Sequence, residues 1–137
     1  MPDVTETTNR VREMLDASSW EYVVDEDDPQ TFTLDFETSV REHLRVSVIV
    51  TEDWVVISHI FGRNPADGEG AVHRRLLELN WILNGCKYAV DEEGDVVLLT
   101  ELLASDLDAP ELVTAIETIA VASEEYYEEL VGLGMRS

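Results

Sequence analysis

The alternation of polar and apolar residues in the first half of the chain most constrains its fold. Thr31–Phe36 alternates strictly, and residues 43–51 carry Val46, Val48 and Val50 on one face, as half-buried strands do. A further strand is predicted over residues 54–61, after the two residues Glu52 and Asp53 only. Because so short a connection can join only antiparallel neighbours, the sequence predicts an antiparallel sheet.

The strand predicted over residues 54–61 is apolar on both faces. Val55, Ile57 and Phe61 lie on one face, and the other face is also apolar; its residues are Trp54, Val56 and Ile60. A strand of an antiparallel sheet that has one face in contact with solvent normally carries polar residues on that face. We therefore expect this strand to be central, or its outer face to be covered.

Helices and a second hairpin complete the predicted order. A first helix follows Asp3 and is expected to end near residues 17–19, and a second over about residues 69–83 stops at Asn84-Gly85. A loop is expected over residues 62–68, and a hairpin over residues 87–102. With a short extended run near residues 22–25, the order is α-β-β-β(-β)-α-β-β-α, an α+β fold with an antiparallel sheet and flanking helices in a single domain, residues 1–137.

The last helix is predicted to run without a break over residues 109–131. Asp108 and Glu111 have the spacing of a capping box. Two apolar stripes follow at helical spacing; they comprise Leu112, Ile116, Ile119, Tyr126 and Leu130, and then Val113, Ala120, Tyr127 and Val131. A rod of roughly 34 Å is expected at ~1.5 Å per residue. The two stripes indicate contacts with the sheet and with a neighbour.

Net charge excludes several classes of partner. The 137-residue chain has 30 acidic residues against 9 lysines and arginines, a formal net charge of −21. This charge repels phosphate backbones and anionic membrane surfaces, so neither nucleic acid nor membrane is an expected partner. The acidity is explained either by adaptation to a salty cytoplasm or by a function that attracts basic segments.

Motifs for chemistry are missing from the sequence. The three histidines share no metal-ligand spacing, and Cys86 is the only cysteine. The acidic run 25–28 is interpreted as a solvated turn, and Gly94 is out of register for a calcium loop. No catalytic, metal or cofactor site is predicted. The chain has neither a membrane-length apolar run nor a secretory signal at its start, so the cytoplasm is expected.

A resemblance to a known family rests on the second half of the chain. The Leu-Asn-rich helix at residues 76–83, the hairpin at residues 86–98 and the pair Tyr126-Tyr127 before Leu130 resemble the YbjN family. That family is similar to type III secretion chaperones, which are small, acidic, cytoplasmic proteins that usually dimerise and hold an extended partner segment. The resemblance implies this fold and a non-enzymatic binding role.

Three functions follow from these observations. The leading hypothesis is a homodimeric, chaperone-like domain that binds a protein or peptide client. Its interface or groove is predicted from apolar residues left over by one core, which are Trp54, Val56, Ile60, Leu77, Trp81, Val113, Tyr127 and Val131. One alternative is a small-molecule sensor or enzyme whose scattered site comprises His59, Trp54, Trp81 and Cys86. The other is a salt-adapted structural or regulatory domain.

Overall fold

The fold is built on a six-stranded antiparallel sheet in the order β1-β2-β3-β4-β6-β5. The computed structural model describes residues 3–65 and 69–137. Its helices are α1 Val4–Ala17, α2 Glu69–Ile82, α3 Ala109–Glu125 and α4 Tyr127–Gly132. Its strands are β1 Val23–Val24, β2 Thr31–Phe36, β3 Leu44–Val50, β4 Trp54–Arg63, β5 Lys87–Val90 and β6 Asp95–Leu103. The predicted α+β class and element order are confirmed.

Capping residues start two helices where the sequence predicts them. The side chain of Asp3 accepts a hydrogen bond from the backbone N–H of Glu6 at 2.8 Å, and Asp108 accepts one from Glu111 at the same distance. Each bond satisfies an N–H group that the first turn of a helix leaves without a partner. The helices then bury one stripe each, which includes Val11 and Leu15 of α1 and Leu112, Ile116 and Ile119 of α3.

The sheet has one covered face and one open face. β4 lies between β3 and β6, which confirms its predicted central position. Val55, Ile57 and Phe61 are fully buried on the covered face. On the other face Trp54 is 42% exposed and Ile60 61% exposed, so the part of the chain that the structure describes leaves this face open.

The ladder between β3 and β4 is shorter than either strand. It runs from Val50, opposite Val55, to Ser47, opposite Ser58, and ends there. β4 nevertheless continues beside β6 as far as Arg63, which lies opposite Asp95. The two strands therefore part at one end of the sheet.

The C-terminal residues pair with β4 beyond this parting point. The N–H of Arg63 donates to the carbonyl of Arg136 at 2.7 Å, and the N–H of Arg136 donates back at 2.9 Å. Gly62 and Arg63 thus belong to β4, and the prediction that they begin a loop is wrong because β6 and Arg136 provide backbone partners. Residues 66–68 of the predicted loop lie outside the described residues.

Substitution of Gly62 tests this contact. A Cβ atom there would lie 2.7 Å from Cε of Met135 and 2.9 Å from the carbonyl oxygen of Arg136. Since Met135 is buried and the carbonyl belongs to the bridge, we expect Gly62→Ala to lower the free energy of unfolding by about 1–3 kcal/mol. Chemical denaturation would measure the change. Gly70→Ala is the matched control, because a Cβ there meets nothing within 4 Å; equal stability of both variants would contradict the prediction.

The last helix is broken, contrary to the prediction of one rod. Tyr126 has φ −115° and ψ 5°, outside the helical region, and α4 starts at the next residue. The break lets the Tyr127 ring pack edge-on against Phe61, with ring centroids 5.6 Å apart, and lets Leu130 be fully buried. Tertiary packing has overridden the helical periodicity of the sequence at this point.

A side chain of α2 protects the outer edge of β5. β5 pairs with β6 on one side only. On its other side the N–H of Tyr88 donates to Oδ1 of Asn80 at 2.7 Å, and Nδ2 of Asn80 donates to the carbonyl of Tyr88 at 3.1 Å. The amide of Asn80 therefore takes the place of a neighbouring strand at this edge.

Candidate functional site

The open face of the sheet carries a largely apolar surface, with two charged residues within it, Glu101 opposite Val56 and Lys87 opposite Leu99. β4 presents Trp54, Val56 and Ile60 on this face, as the sequence predicts from their spacing. Strand register places further apolar residues opposite them, with Val56 facing Ile49 of β3 and Ile60 facing Val97 of β6. We call this surface the open face; its apolar residues are Ile49, Trp54, Val56, Ile60, Val97, Leu99 and Leu103.

A cavity of about 780 Å³ lies on the open face. Its floor includes Ser47 and Ser58, the last pair of the β3–β4 ladder. Three basic side chains, Arg41, His43 and Arg45, line it as well. The cavity therefore combines an apolar floor with positive charge at the end where β3 and β4 part.

Arg41 is fixed at this end by aromatic and imidazole groups. Its guanidinium carbon lies 4.3 Å from the ring centroid of Tyr127 and 5.8 Å from that of Phe61. Its Nη1 lies 2.5 Å from Nε2 of His59, and Nδ1 of His59 lies 2.7 Å from the carbonyl oxygen of Arg45. Because a carbonyl can only accept, Nδ1 carries the proton and Nε2 accepts from Arg41.

Burial keeps His59 neutral. The side chain is 3% exposed. Burial is the main cause that lowers the pKa of His59 from 6.5 to about 4; the bond to the Arg45 carbonyl opposes the shift, and the nearby Arg41 charge contributes to it. Burial also lowers the pKa of Arg41. A neutral imidazole that already uses both nitrogens is a structural group that orients Arg41.

The predicted residues of α2 form a separate surface. Val72 and Leu79 face the sheet and are fully buried, whereas Leu77 is 72% exposed and Trp81 is 90% exposed. Ile82, at the end of the helix, is 55% exposed. We call Leu77, Trp81 and Ile82 the α2 patch. An exposed tryptophan flanked by aliphatic residues is typical of a contact surface.

The other three predicted interface residues join neither surface. Val113 of α3 is half-buried, and Val131 of α4 is 39% exposed. Tyr127 packs inside the chain against Phe61 and Arg41. An interface role for these three residues stays a prediction.

The scattered site of the sensor or enzyme alternative is not assembled. His59 is buried and lines the open-face cavity at its Arg41 end, while Trp54 lies near the opposite end of β4. Trp81 is on α2, and Cys86 lines a different cavity, of about 350 Å³. Burial raises the pKa of the Cys86 thiol, which disfavours the reactive thiolate.

The acidic runs serve as turns. Oδ1 of Asp25 accepts hydrogen bonds from the N–H groups of Asp27 and Asp28, and Oδ1 of Asp91 accepts from those of Glu93 and Asp95. Among the residues that the structure describes, no group of three or more His, Cys, Asp or Glu side chains could hold a metal ion.

Comparison with known proteins identifies the family. The family model CesT_Tir_1 matches residues 4–136. The chain belongs to this family. CesT_Tir_1 is a family of type III secretion chaperones, so the chain has a chaperone-like, protein-binding role, as predicted. Membership of the YbjN family in particular stays a prediction. No curated protein matches the chain.

Solved structures similar to this family member share its fold at low sequence identity. A chain of the ExsC-ExsE complex is 18% identical with a TM-score of 0.66, over 95% of this chain and 97% of that one. A chain of the HopA1-SchA chaperone-effector complex is 11% identical with a TM-score of 0.61, over 93% and 99%. A chain of the heterodimeric ExoU-SpcU complex from the type III secretion system of Pseudomonas aeruginosa is 20% identical with a TM-score of 0.54, over 81% of this chain and 88% of that one. The predicted chaperone-like fold is confirmed.

Within residues 3–65 and 69–137, every helix is too short or too polar to cross a membrane.

Sequence reasoning missed Arg41, since it lies between predicted elements and meets His59, 18 residues away, only after folding. The signal in the sequence that could have indicated Arg41 is the rarity of basic residues in this family member.

Proposed function

We propose that the chain is a non-enzymatic, cytoplasmic chaperone that acts as a homodimer and holds an extended segment of a protein client. Residues 1–137 form one domain of this kind, close to the YbjN group. The open face carries the proposal, because it is apolar, concave and uncovered in the described residues. Two of the similar structures are complexes whose names support the idea: one is a chaperone-effector complex, and one belongs to a type III secretion system.

The two apolar surfaces suit different partners. An extended segment fits the cavity of about 780 Å³ on the open face, where alternate side chains of the segment would meet Val56 and Ile60. The α2 patch protrudes from a helix, and a patch of this shape can pair with its own copy about a twofold axis. We therefore assign the client to the open face and the second protomer to the α2 patch.

The solution mass and two substitutions test the assignment. Light scattering is expected to give twice the chain mass of 15.4 kDa for the wild type, and Trp81→Asp is expected to give the monomer mass. On an array of extended peptides, wild type and Trp81→Asp should bind, whereas Ile60→Asp should lose binding because a charge on the apolar floor would have to be desolvated.

Val121→Asp provides the matched control, since Val121 is 70% exposed on α3, outside both surfaces. It should leave both mass and peptide binding unchanged. A wild-type monomer at tens of micromolar would contradict the dimer. Equal peptide binding by wild type and Ile60→Asp would contradict the assignment of the client to the open face.

A further inference from the structure

Arg41 carries a positive charge without an acidic partner in the described structure. The chain has 30 acidic residues and 9 lysines and arginines, so carboxylates greatly outnumber cationic side chains. Ion pairs do form elsewhere, between Arg75 and Glu129 and between Lys87 and Glu101. None of the ion pairs found within residues 3–65 and 69–137 includes Arg41.

The groups around Arg41 orient it but do not neutralise it. The Tyr127 and Phe61 rings hold the guanidinium by cation–π contacts, and His59 accepts one of its hydrogen bonds as a neutral imidazole. A guanidinium has five N–H donors in a planar fork, which suits a carboxylate. Arg41 is half-buried, so part of its hydration has already been lost on folding.

Basic side chains outnumber acidic ones in the lining of the cavity around Arg41. Arg45 and His43 line the same cavity, next to its apolar floor. Asp91 lines it too, but its Oδ1 accepts two N–H bonds within its own hairpin turn. His43 lies 3.4 Å from Asp35, so the two arginines supply the available positive charge.

From these observations we propose that the Arg41 end of the open face binds a carboxylate, supplied by an aspartate or glutamate side chain of the client segment. This inference rests on the proposed function. A net charge of −21 repels a strongly acidic client at long range. The client segment that fits is therefore neutral or basic overall and has one carboxylate. The contact between that carboxylate and Arg41 fixes which residues of the client lie over Val56 and Ile60.

Two matched peptides test the proposal at 0.15 M salt. The probes are acetyl-Arg-Val-Glu-Val-Arg-amide and its Gln counterpart, each fluorescently labelled, with binding followed by anisotropy. The Glu peptide should bind the wild type about tenfold more tightly, because a hydrogen bond to a charged group contributes more than one to an amide. Long-range attraction to the acidic protein would instead favour the Gln peptide, since it is the more basic of the two.

Variants locate the effect. Arg41→Met should remove the preference for the Glu peptide, and Arg45→Gln, a change at an exposed position that does not threaten folding, should reduce it. Arg12→Met is the matched control, because Arg12 also lies over an aromatic ring, 5.8 Å from the centroid of Phe32, but outside the cavity. Melting temperatures would confirm that each variant is folded.

The outcomes separate this proposal from the proposed function. Equal binding of both peptides to the wild type, lost from both in Ile60→Asp, would overturn the carboxylate site and leave the open face as a client surface. Absence of binding by either peptide would overturn both. A preference that survives in both Arg41→Met and Arg45→Gln would overturn the role of these arginines.

Discussion

Asn80→Ala is expected to lower the free energy of unfolding by about 3 kcal/mol, because it leaves two backbone groups of Tyr88 without partners. Tyr88 is 4% exposed and packs edge-on against Phe61, with ring centroids 5.2 Å apart. Water therefore has poor access to the groups that lose their bonds. Alanine favours a helix more than asparagine does by only about 0.5 kcal/mol, which does not offset the loss. Denaturation by urea would measure the effect.

A nearby asparagine provides the control for this substitution. Asn84 follows α2 in the turn before β5 and is exposed. Asn84→Ala should change stability by no more than about 0.5 kcal/mol, as surface substitutions usually do. If Asn80→Ala cost no more than Asn84→Ala, water would be replacing the amide at the β5 edge and the protective role of Asn80 would be wrong.

Acidification is expected to weaken the fold through His59. The unfolded chain takes up a proton at this histidine as the pH falls below 6.5, whereas in the folded chain burial holds the pKa near 4. The unfolded state therefore binds more protons between these values, and stability falls as the pH falls. Linkage gives a loss of about 2 kcal/mol from this one group between pH 7 and pH 5, above the isoelectric point of 4.1.

A variant isolates the contribution of His59 from that of the carboxylates. His59→Gln retains one donor and one acceptor but does not titrate. Because it replaces a buried ring with a smaller side chain, it should be less stable than the wild type at pH 7. The difference in free energy of unfolding between the wild type and His59→Gln should be about 2 kcal/mol smaller at pH 5 than at pH 7. Titration of the His59 ring protons by NMR gives a direct check, with an expected midpoint near 4. A midpoint near 6.5 would show that the ring is not desolvated.

Local patterns in the sequence predicted most of the fold. The strand Thr31–Phe36 has the predicted bounds, and the N-cap residues Asp3 and Asp108 start α1 and α3 as expected. Gly94, with φ +84°, occupies the hairpin turn predicted for it. These features depend on residues close together in the chain, where periodicity, capping and turn chemistry act directly.

Features that depend on distant residues could not be predicted in this way. The break at Tyr126 follows from packing against Phe61, and the bridge of Arg136 to Arg63 joins residues 73 positions apart in sequence. For the same reason the sequence could not separate Trp54, on a strand, from Trp81, on a helix, among the candidates for an interface or groove. Salt adaptation as the explanation of the acidity stays a prediction.

Strand order has a consequence for the rate at which the chain folds. β2, β3 and β4 pair with their neighbours in sequence, and so do β5 and β6. The ladder from Trp54, opposite Leu103, to Arg63, opposite Asp95, instead joins two hairpins that α2 separates. Non-local pairings of this kind form late, because the intervening chain must first lose its loop entropy. Closure of the β4–β6 ladder is therefore the expected rate-limiting step, and until it occurs both hairpins keep an unpaired edge that can associate with other chains.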